Sequence, residues 1–589
     1  MPTDRRSAMR CRPLLVLFSL SCLFVSFVVD SASADELVAQ LRRPIALVEA
    51  TDGKHLYVAN RDSGSISTIA IANRQVVTEQ AIGKRLADLQ PIGNGRLLAV
   101  DEAAHELILL KAAGSTVEVL ERLAVSPYPV SICVSEDGKS ATIASLWSRR
   151  LTFVDLGETM QIGEVIDLPF APRAQLVLPG RDRLIVADAF GGRLALIEPS
   201  SRSLAATREF PGHNIRGLGV SPNGQMLMVA HQMLNDLAHS IRNDIHWGLL
   251  MSNDLRWLQV DSVLAGGKEL YHGAHMHPLG EAGKGGGDPG SLDVSSDGLV
   301  CVAISGVNQV AIGREGDFSM ARLNVGRRPT AVQLTANAQT AYIANTFDDS
   351  VSIVDLQNRQ VAATIALGPQ PDLTEAQQGE LLFHDARLSH DGWMSCQSCH
   401  TEGHANGQMN DNFSDRSFGA LKRVLSLLGV KDTLPLAWSG KVQTLDRQIH
   451  NSVENTMQRE ETLPREQVDA IAAYVNSLEL PPPLGVLRGD QDVAAIERGR
   501  LVFAKRDCAT CHPAPTYTSP ATFDVGLKDS QGVAEFNPPS LRGVSHRESF
   551  FHDNRATTLE EVFQTTRHPN NTEYTADEVR DLAAFLRSL

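Results

Sequence analysis

From residue 43 to 368 one pattern of apolar alternation returns seven times, and that repetition narrows the fold more than any other feature of the chain. The stretch RRPTAVQLTANAQTAYIANTFDDSVSIVDLQNRQVAATIALG (327 to 368) aligns with RPIALVEATDGKHLYVANRDSGSISTIAIANRQVVTEQAIG (43 to 83). Each copy has an alternating strand, a turn, a second strand (AYIAN, LYVAN), a polar turn, a third strand (SVSIVDL, SISTIAI) and a fourth that ends at Gly. Weaker copies begin at KRLADLQ, PYPVSIC, FAPRAQL, HNIRGLG and DPGSLDV. Seven units of roughly 40 residues with four short strands each predict a β-propeller, in which every blade buries its faces against its neighbours and the ring must close.

The YVAN and YIAN strands followed by SIS and SVS resemble the YVTN-type propellers, a resemblance covering about 325 residues. It implies a seven-bladed architecture and says little about chemistry, because propellers host many functions. One blade is longer by about 25 residues between Ala230 and Asp288, and this insertion is rich in histidine: His231, His239, His246, His272, His275 and His277. Its segment HGAHMHP can offer His272, His275 and His277 to copper or zinc. The alternatives are a loop whose histidines touch the neighbouring domain or its cofactor, or a loop of no special role, and the GKGGGDPG run that follows reads as flexible.

After Gly368 the apolar spacing becomes helical. Thr374 is placed to cap a helix carrying Leu381, Leu382 and Phe383, and IERGRLVFAKRD repeats it, with Gly499, Val502 and Phe503 matching Gly379, Leu382 and Phe383. A second pair, ending at Leu478 and Leu589, shares the stripes Val468/Val579, Ile471/Leu582 and Tyr474/Phe585. The second part is therefore a duplicated all-α unit, 372 to 480 and 486 to 589, joined at ELPPPLG. Each copy holds one Cys-x-x-Cys-His, CQSCH at 396 to 400 and CATCH at 508 to 512. Two thiols at that spacing, Cys396 with Cys399 and Cys508 with Cys511, form thioethers to the two vinyl groups of a haem, and His400 or His512 meets the iron from below. A thioredoxin-type pair needs a βαβ context and a zinc site needs both cysteine pairs in one compact unit, so two covalent c-type haems are expected.

The order GELLFHDARLSHDGWMSCQSCH, PLAWSGKVQTLDRQ, GRLVFAKRDCATCH and NPPSLRGVSHRESFFHDNRATTLEEVF resembles the bacterial di-haem cytochrome c peroxidase and MauG family over about 215 residues. The resemblance implies that the first haem is the peroxidatic one and the second transfers electrons. It implies that Trp438 bridges them, that Gln448 is an active-site glutamine, and that calcium lies between the haem units. The family's distal glutamate falls at Gln458, with Glu454 one helical turn before it. Either Glu454 takes the acid/base role through a shifted loop, or this haem is the poorer peroxidase, since a carboxylate is the natural proton shuttle for O–O cleavage. The last methionine is Met457, so the second unit has no thioether for its own iron. The family's axial ligand aligns with Thr566, a poor one, so His568 is the expected partner of His512, with His552 as competitor. His404, four residues from His400, reads as lying behind the proximal histidine or at the surface.

Net charge of -15, with no basic cluster beyond the N-terminus, argues against a nucleic-acid partner. Arg5, Arg6, Arg10 and Arg12 precede an apolar run from Leu14 to Val29 and the sequence SASA, which reads as a signal peptide, residues 1 to 34, cleaved after Ala34. An uncleaved anchor is the alternative; Cys22 has no lipoprotein box. Export to the periplasm or cell surface follows. Cys133 and Cys301 sit in apolar strands and read as buried free thiols, without a disulfide framework. The leading functional expectation is an exported di-haem peroxidase reducing hydrogen peroxide with electrons from a small cytochrome or cupredoxin. The alternatives are a MauG-like oxidase of a protein or organic substrate docked on the propeller, its His-rich insertion facing the first haem, and a non-enzymatic electron-transfer or binding protein.

Overall fold

The computed structural model describes residues 38 to 411 and 418 to 589. The signal segment, its cleavage site, and Cys11 and Cys22 lie outside the described residues. Among those described, no helix is long and apolar enough to cross a membrane.

Seven four-stranded antiparallel sheets follow one another, each a simple meander in chain order. Blade 1 runs from Pro44 to Ala81, blade 2 from Leu86 to Ala124, blade 3 from Pro129 to Asp167 and blade 4 from Pro172 to Glu209. Blade 5 spans His213–Pro278, blade 6 Pro289–Asn324 and blade 7 Pro329–Ala366. The first strand of each blade lies beside the first strand of the next, and that of blade 7 returns to that of blade 1, so the ring closes. Blades 7 and 1 share no sheet; an apolar cluster that includes Leu56, Val58, Tyr342 and Val351 fills their gap, and the backbone amides of Arg42 and Arg43 donate to Asp349 of blade 7 at 2.9 and 2.7 Å. Apolar clusters fill every gap between blades, for example Leu98, Leu107, Ile143 and Val154 between blades 2 and 3. Cys301 is buried and Cys133 half-buried, both as free thiols.

The long blade is blade 5, and its extra residues are spread over three loops. Its third strand is Met251–Gln259 and its fourth is His275–Pro278, so the HMHP run is sheet. The glycine run after it is a close-contact surface instead of a flexible tether. Gly285 and Gly287 donate their amides to Asp391 and Gly392 carbonyls at 2.6 and 3.0 Å, and a Cβ on Gly280 would come within 2.8 Å of the Trp393 ring.

In the helical part, α1 (Glu375–Phe383) crosses α3 (Arg465–Asn476), with α2 (Leu445–Asn451) between them in sequence; α4 (Val493–Lys505) crosses α6 (Ala576–Arg587), preceded by α5 (Leu559–Gln564). A full capping box at Thr374 and Gln377 starts α1, and Thr575 with Glu578 starts α6. The duplicated glycines explain the crossings: a Cβ on Gly379 would land on the Ala470 carbonyl, and one on Gly499 on the Asp581 carbonyl. Each helix pair therefore approaches backbone to backbone.

The two units differ in what completes their cores. Phe503, Val562, Phe563, Leu582 and Phe585 make a core for the second unit from its own residues. The core of the first unit, around Phe383, Trp393, Ile449, Val453 and Ile471, also contains Ala238, Ile245, Leu250 and Met251 of the blade 5 insertion. The propeller thus supplies part of the first unit's hydrophobic interior.

Candidate functional site

CQSCH forms a single helical turn, Cys396–Cys399, capped by Ser395, with His400 just beyond it. Propeller residues hold this turn from behind. Asp288 accepts hydrogen bonds from the hydroxyls of Ser395 and Ser398, His213 meets the Ser398 carbonyl at 3.1 Å, and Gln232 reaches the Ser398 hydroxyl at 3.1 Å. Behind the next turn, Arg173 and Arg216 pair with Glu402 at 3.2 and 2.7 Å.

In front of the turn lies a cavity of about 270 Å³ walled by Cys396, Cys399, His400, Trp438, Gln448 and Met457. Burial holds the His400 imidazole down to about 4, so it is neutral with a lone pair available to a metal. Gln448 is held by α2: its amide nitrogen donates to Ser452 at 3.1 Å, while its buried oxygen has no partner. Past Ser452 the helix loosens into a π-turn, Ser452–Thr456, a feature frequent at functional sites.

Three arginines also line this cavity, the buried Arg423 and the half-buried Arg542 and Arg547, and none forms an ion pair among the described residues. Burial and the neighbouring Arg547 pull Arg423 down to about 9, and burial pulls Arg547 down to about 10. Largely enclosed cations without ion-pair partners beside an apolar slot suit a haem, which brings two carboxylates of its own. Sequence reasoning missed these residues, although Arg542 and Arg547 stand in the quoted segment SLRGVSHRESF.

At CATCH, the His512 Nδ1–H donates to the Tyr517 carbonyl at 3.0 Å, which leaves Nε2 as the free lone pair. His512 is close enough for its charge to be felt at His568. Burial, then His512, holds the His568 imidazole down to about 4, and its buried Nδ1 has no partner. His552 is engaged differently: it stacks on Phe536 at 4.4 Å and meets Trp438 edge-on at 6.2 Å. The residues present therefore fit two haems, one at each motif.

Trp438 stands at the junction of the units. It is buried, its indole N–H donates to the Arg423 carbonyl at 2.9 Å, and it packs on Leu527 and Phe536 of the second unit.

Other expected residues fall elsewhere. Glu454 is absent from the cavity wall and sits 3.4 Å from His450, half-exposed; Gln448 and Ser452 occupy one face of the helix, and positions 450 and 454 the opposite face. Gln458 donates to the Ser240 carbonyl of the insertion at 3.0 Å. No Asp or Glu lines the cavity among the described residues. His404 is not at the surface: it is buried, bonds Ser426 at 2.9 Å and packs edge-on against Phe190 and Trp147 of the propeller.

His272, His275 and His277 do not assemble as metal ligands. His277 accepts the Trp257 indole N–H on Nδ1 at 2.8 Å and donates from Nε2 to the Asp317 carbonyl at 2.9 Å, so neither nitrogen is free, and His275 stacks on Trp257. None of the insertion's histidines lines the first cavity. Among the described residues, the three-member group of metal-type side chains is instead His246, His390 and Asp391, joining the insertion to the first unit through a 2.8 Å contact of His246 with Asp391. Among the described residues no such group lies between the two haem units.

Comparison with known proteins places these geometries. Residues 374–481 match the family model described as di-haem cytochrome c peroxidase, and residues 496–589 match the one described as cytochrome c. Cytochrome c551 peroxidase of Nitrosomonas europaea is 25% identical over 278 residues, covering 36% of this chain and 79% of that protein. Methylamine utilization protein MauG of Methylorubrum extorquens is 25% identical over 272 residues, 36% of this chain and 76% of that protein. Among solved structures, Kuenenia stuttgartiensis hydrazine synthase aligns with a TM-score of 0.47 at 18% identity, over 55% of this chain and 98% of that one. The helical part therefore carries a di-haem cytochrome c peroxidase segment followed by a cytochrome c segment, with covalently bound c-type haems implied. The named relatives are oxidoreductases.

Proposed function

We propose that the chain is an exported di-haem c-type peroxidase, in which the site before His400 receives hydrogen peroxide and the site at His512 passes electrons to it. The observation that carries this reading is the asymmetry of the two faces. Gln448 presents an unpartnered amide oxygen to the His400 cavity, whereas His568 stands ready to close the second site.

Bound haem would supply the iron that takes peroxide and the redox couple that accepts electrons. The chain's own contribution is placement and polarity. Arg423, Arg542 and Arg547 would neutralise the carboxylates of a bound haem, Gln448 and Ser452 would bind and orient a polar ligand or water, and Trp438 fills the gap between the units with a buried, hydrogen-bonded ring. Its signal segment would direct it to the periplasm or cell surface, where a small cytochrome or cupredoxin supplies electrons.

A second reading, oxidation of a protein or organic partner in the manner named for MauG, is favoured by the lack of a carboxylate among the described residues of the cavity wall, because proton delivery to peroxide by those residues then falls to other groups and water. Steady-state peroxide consumption by the purified holoprotein, with and without a reduced cytochrome, separates the two. Donor-dependent turnover supports the peroxidase. Two low-spin, six-coordinate haems in every redox state, with no turnover, sink it.

A further inference from the structure

The blade 5 insertion meets the first haem unit at a group of side chains that the proposed chemistry does not use. His246 ends the short helix Arg242–His246, and it faces His390 and Asp391 in the segment that leads into CQSCH. The His246 Nδ1 lies 2.8 Å from Asp391 Oδ2, the His390 Nε2 lies 3.4 Å from the same oxygen, and one donor atom from each residue falls within 4.8 Å of the other two. Two imidazoles and a carboxylate are donor types that zinc takes in three-ligand sites. With bonds of about 2.0–2.1 Å, the ligands of a tetrahedral zinc stand about 3.3 Å apart, so small ring rotations suffice to bring the three around one ion.

No other group competes for these donors. Among the described residues the Asp391 carboxylate meets only the two imidazoles, without a lysine or arginine partner, and no hydrogen bond engages the His390 ring. Lys284, on the same insertion, is exposed and pairs with Glu281 at 3.9 Å. His277 differs in this respect, since both of its nitrogens are committed to other partners.

The loops that carry the three residues are fixed against each other by backbone contacts, which preorganises the group. Gly285 and Gly287 donate to the Asp391 and Gly392 carbonyls, Gly283 donates to the His246 carbonyl at 3.2 Å, and the His390 amide donates to the Met457 carbonyl at 2.8 Å. A Cβ on Gly248, just past His246, would fall 2.5 Å from the Trp393 ring. Asp391 itself has φ of 58°, in the left-handed region that Asp and Asn enter more readily than most residues.

We propose that His246, His390 and Asp391 bind one divalent transition-metal ion, zinc in chemistry, with water completing its coordination. All three are half-buried, so one side of the ion stays open to solvent. Bound there, the ion ties the blade 5 insertion to the segment that enters the first haem's attachment turn.

Calorimetric titration of the chelator-treated holoprotein with zinc chloride tests this. One equivalent should bind saturably, and Asp391→Asn should weaken that binding by about tenfold or more. Asparagine keeps the left-handed backbone and an acceptor for the His246 N–H, so a merely hydrogen-bonded trio survives this change while a metal loses its anionic ligand. His390→Gln should weaken zinc binding as much, and in zinc-free buffer it should melt close to the parent. His272→Gln, elsewhere on the insertion, should bind zinc as the parent does. Absence of saturable binding overturns the proposal, as does unchanged affinity in Asp391→Asn or His390→Gln, or loss of binding in His272→Gln.

Discussion

The carboxylate of Asp288, at the start of blade 6, accepts a hydrogen bond of 2.6 Å from the hydroxyl of Ser398, which lies between the two cysteines of CQSCH. A buried propeller residue therefore holds the first haem's attachment turn from within. Asp288→Ala removes the acceptor for two buried serine hydroxyl protons, so it should destabilise the holoprotein by about 1–3 kcal/mol. Thermal unfolding followed at the Soret band checks it, with the first haem's signal moving before the second's.

The empty acid/base position makes an opposed pair of predictions. Glu454→Gln should leave peroxide turnover within about twofold, because Glu454 faces His450, whereas Gln448→Glu places a carboxylate on the cavity wall and should raise the peroxide reaction by about tenfold or more. Stopped-flow mixing with hydrogen peroxide measures both. A large loss in the first variant would restore Glu454 to the mechanism.

His568 is the expected closing ligand of the second site. Its replacement by Ala should convert that iron from low-spin to high-spin in the oxidised EPR spectrum, and His568→Met should raise its potential. His552→Ala serves as the comparison and should leave the spectrum low-spin, since that ring is stacked on Phe536.

Stability should fall on mild acidification. His213 and His546 are held down to about 4 and His231 to about 3, each chiefly by burial. A lowered folded-state pKa means the unfolded chain binds more protons between these values and about 6.5. The stabilisation is fully present above about pH 6.5 and is lost as pH falls toward 4, by several kcal/mol in total on the order-of-magnitude scale of one unit per ~1.4 kcal/mol. Melting temperatures measured from pH 7 to 4.5 should decline throughout; a flat profile would mean that these histidines are not buried neutral.

The duplicated crossings give a symmetric test. Gly379→Ala and Gly499→Ala each push a methyl group into a backbone carbonyl, so both should lower stability by about 1–3 kcal/mol. Urea unfolding curves of the two variants should shift by similar amounts.

Much of this was legible from residues alone. The blade strands were readable because a period of two and a repeat of some forty residues are local properties of the chain. The capping of α1 by Thr374, the matched glycines and the two haem motifs were readable for the same reason. The histidines of blade 5 were misleading: spacing suggested a metal site, yet His277 is closed off by Trp257 and Asp317, partners that spacing does not reveal. Glu454 was a reasonable candidate until the helix phase turned it toward His450.

By itself the sequence determined seven blades, two attachment motifs and a duplicated helical scaffold, all set by short-range periodicity and motif chemistry. Only the tertiary structure decided that the blade 5 insertion completes the first unit's core, that Asp288 grips its haem turn, and that His246 meets Asp391. Those relations join residues more than a hundred positions apart, and they exist only once the ring has closed and docked, because burial and charge pairing depend on neighbours in space.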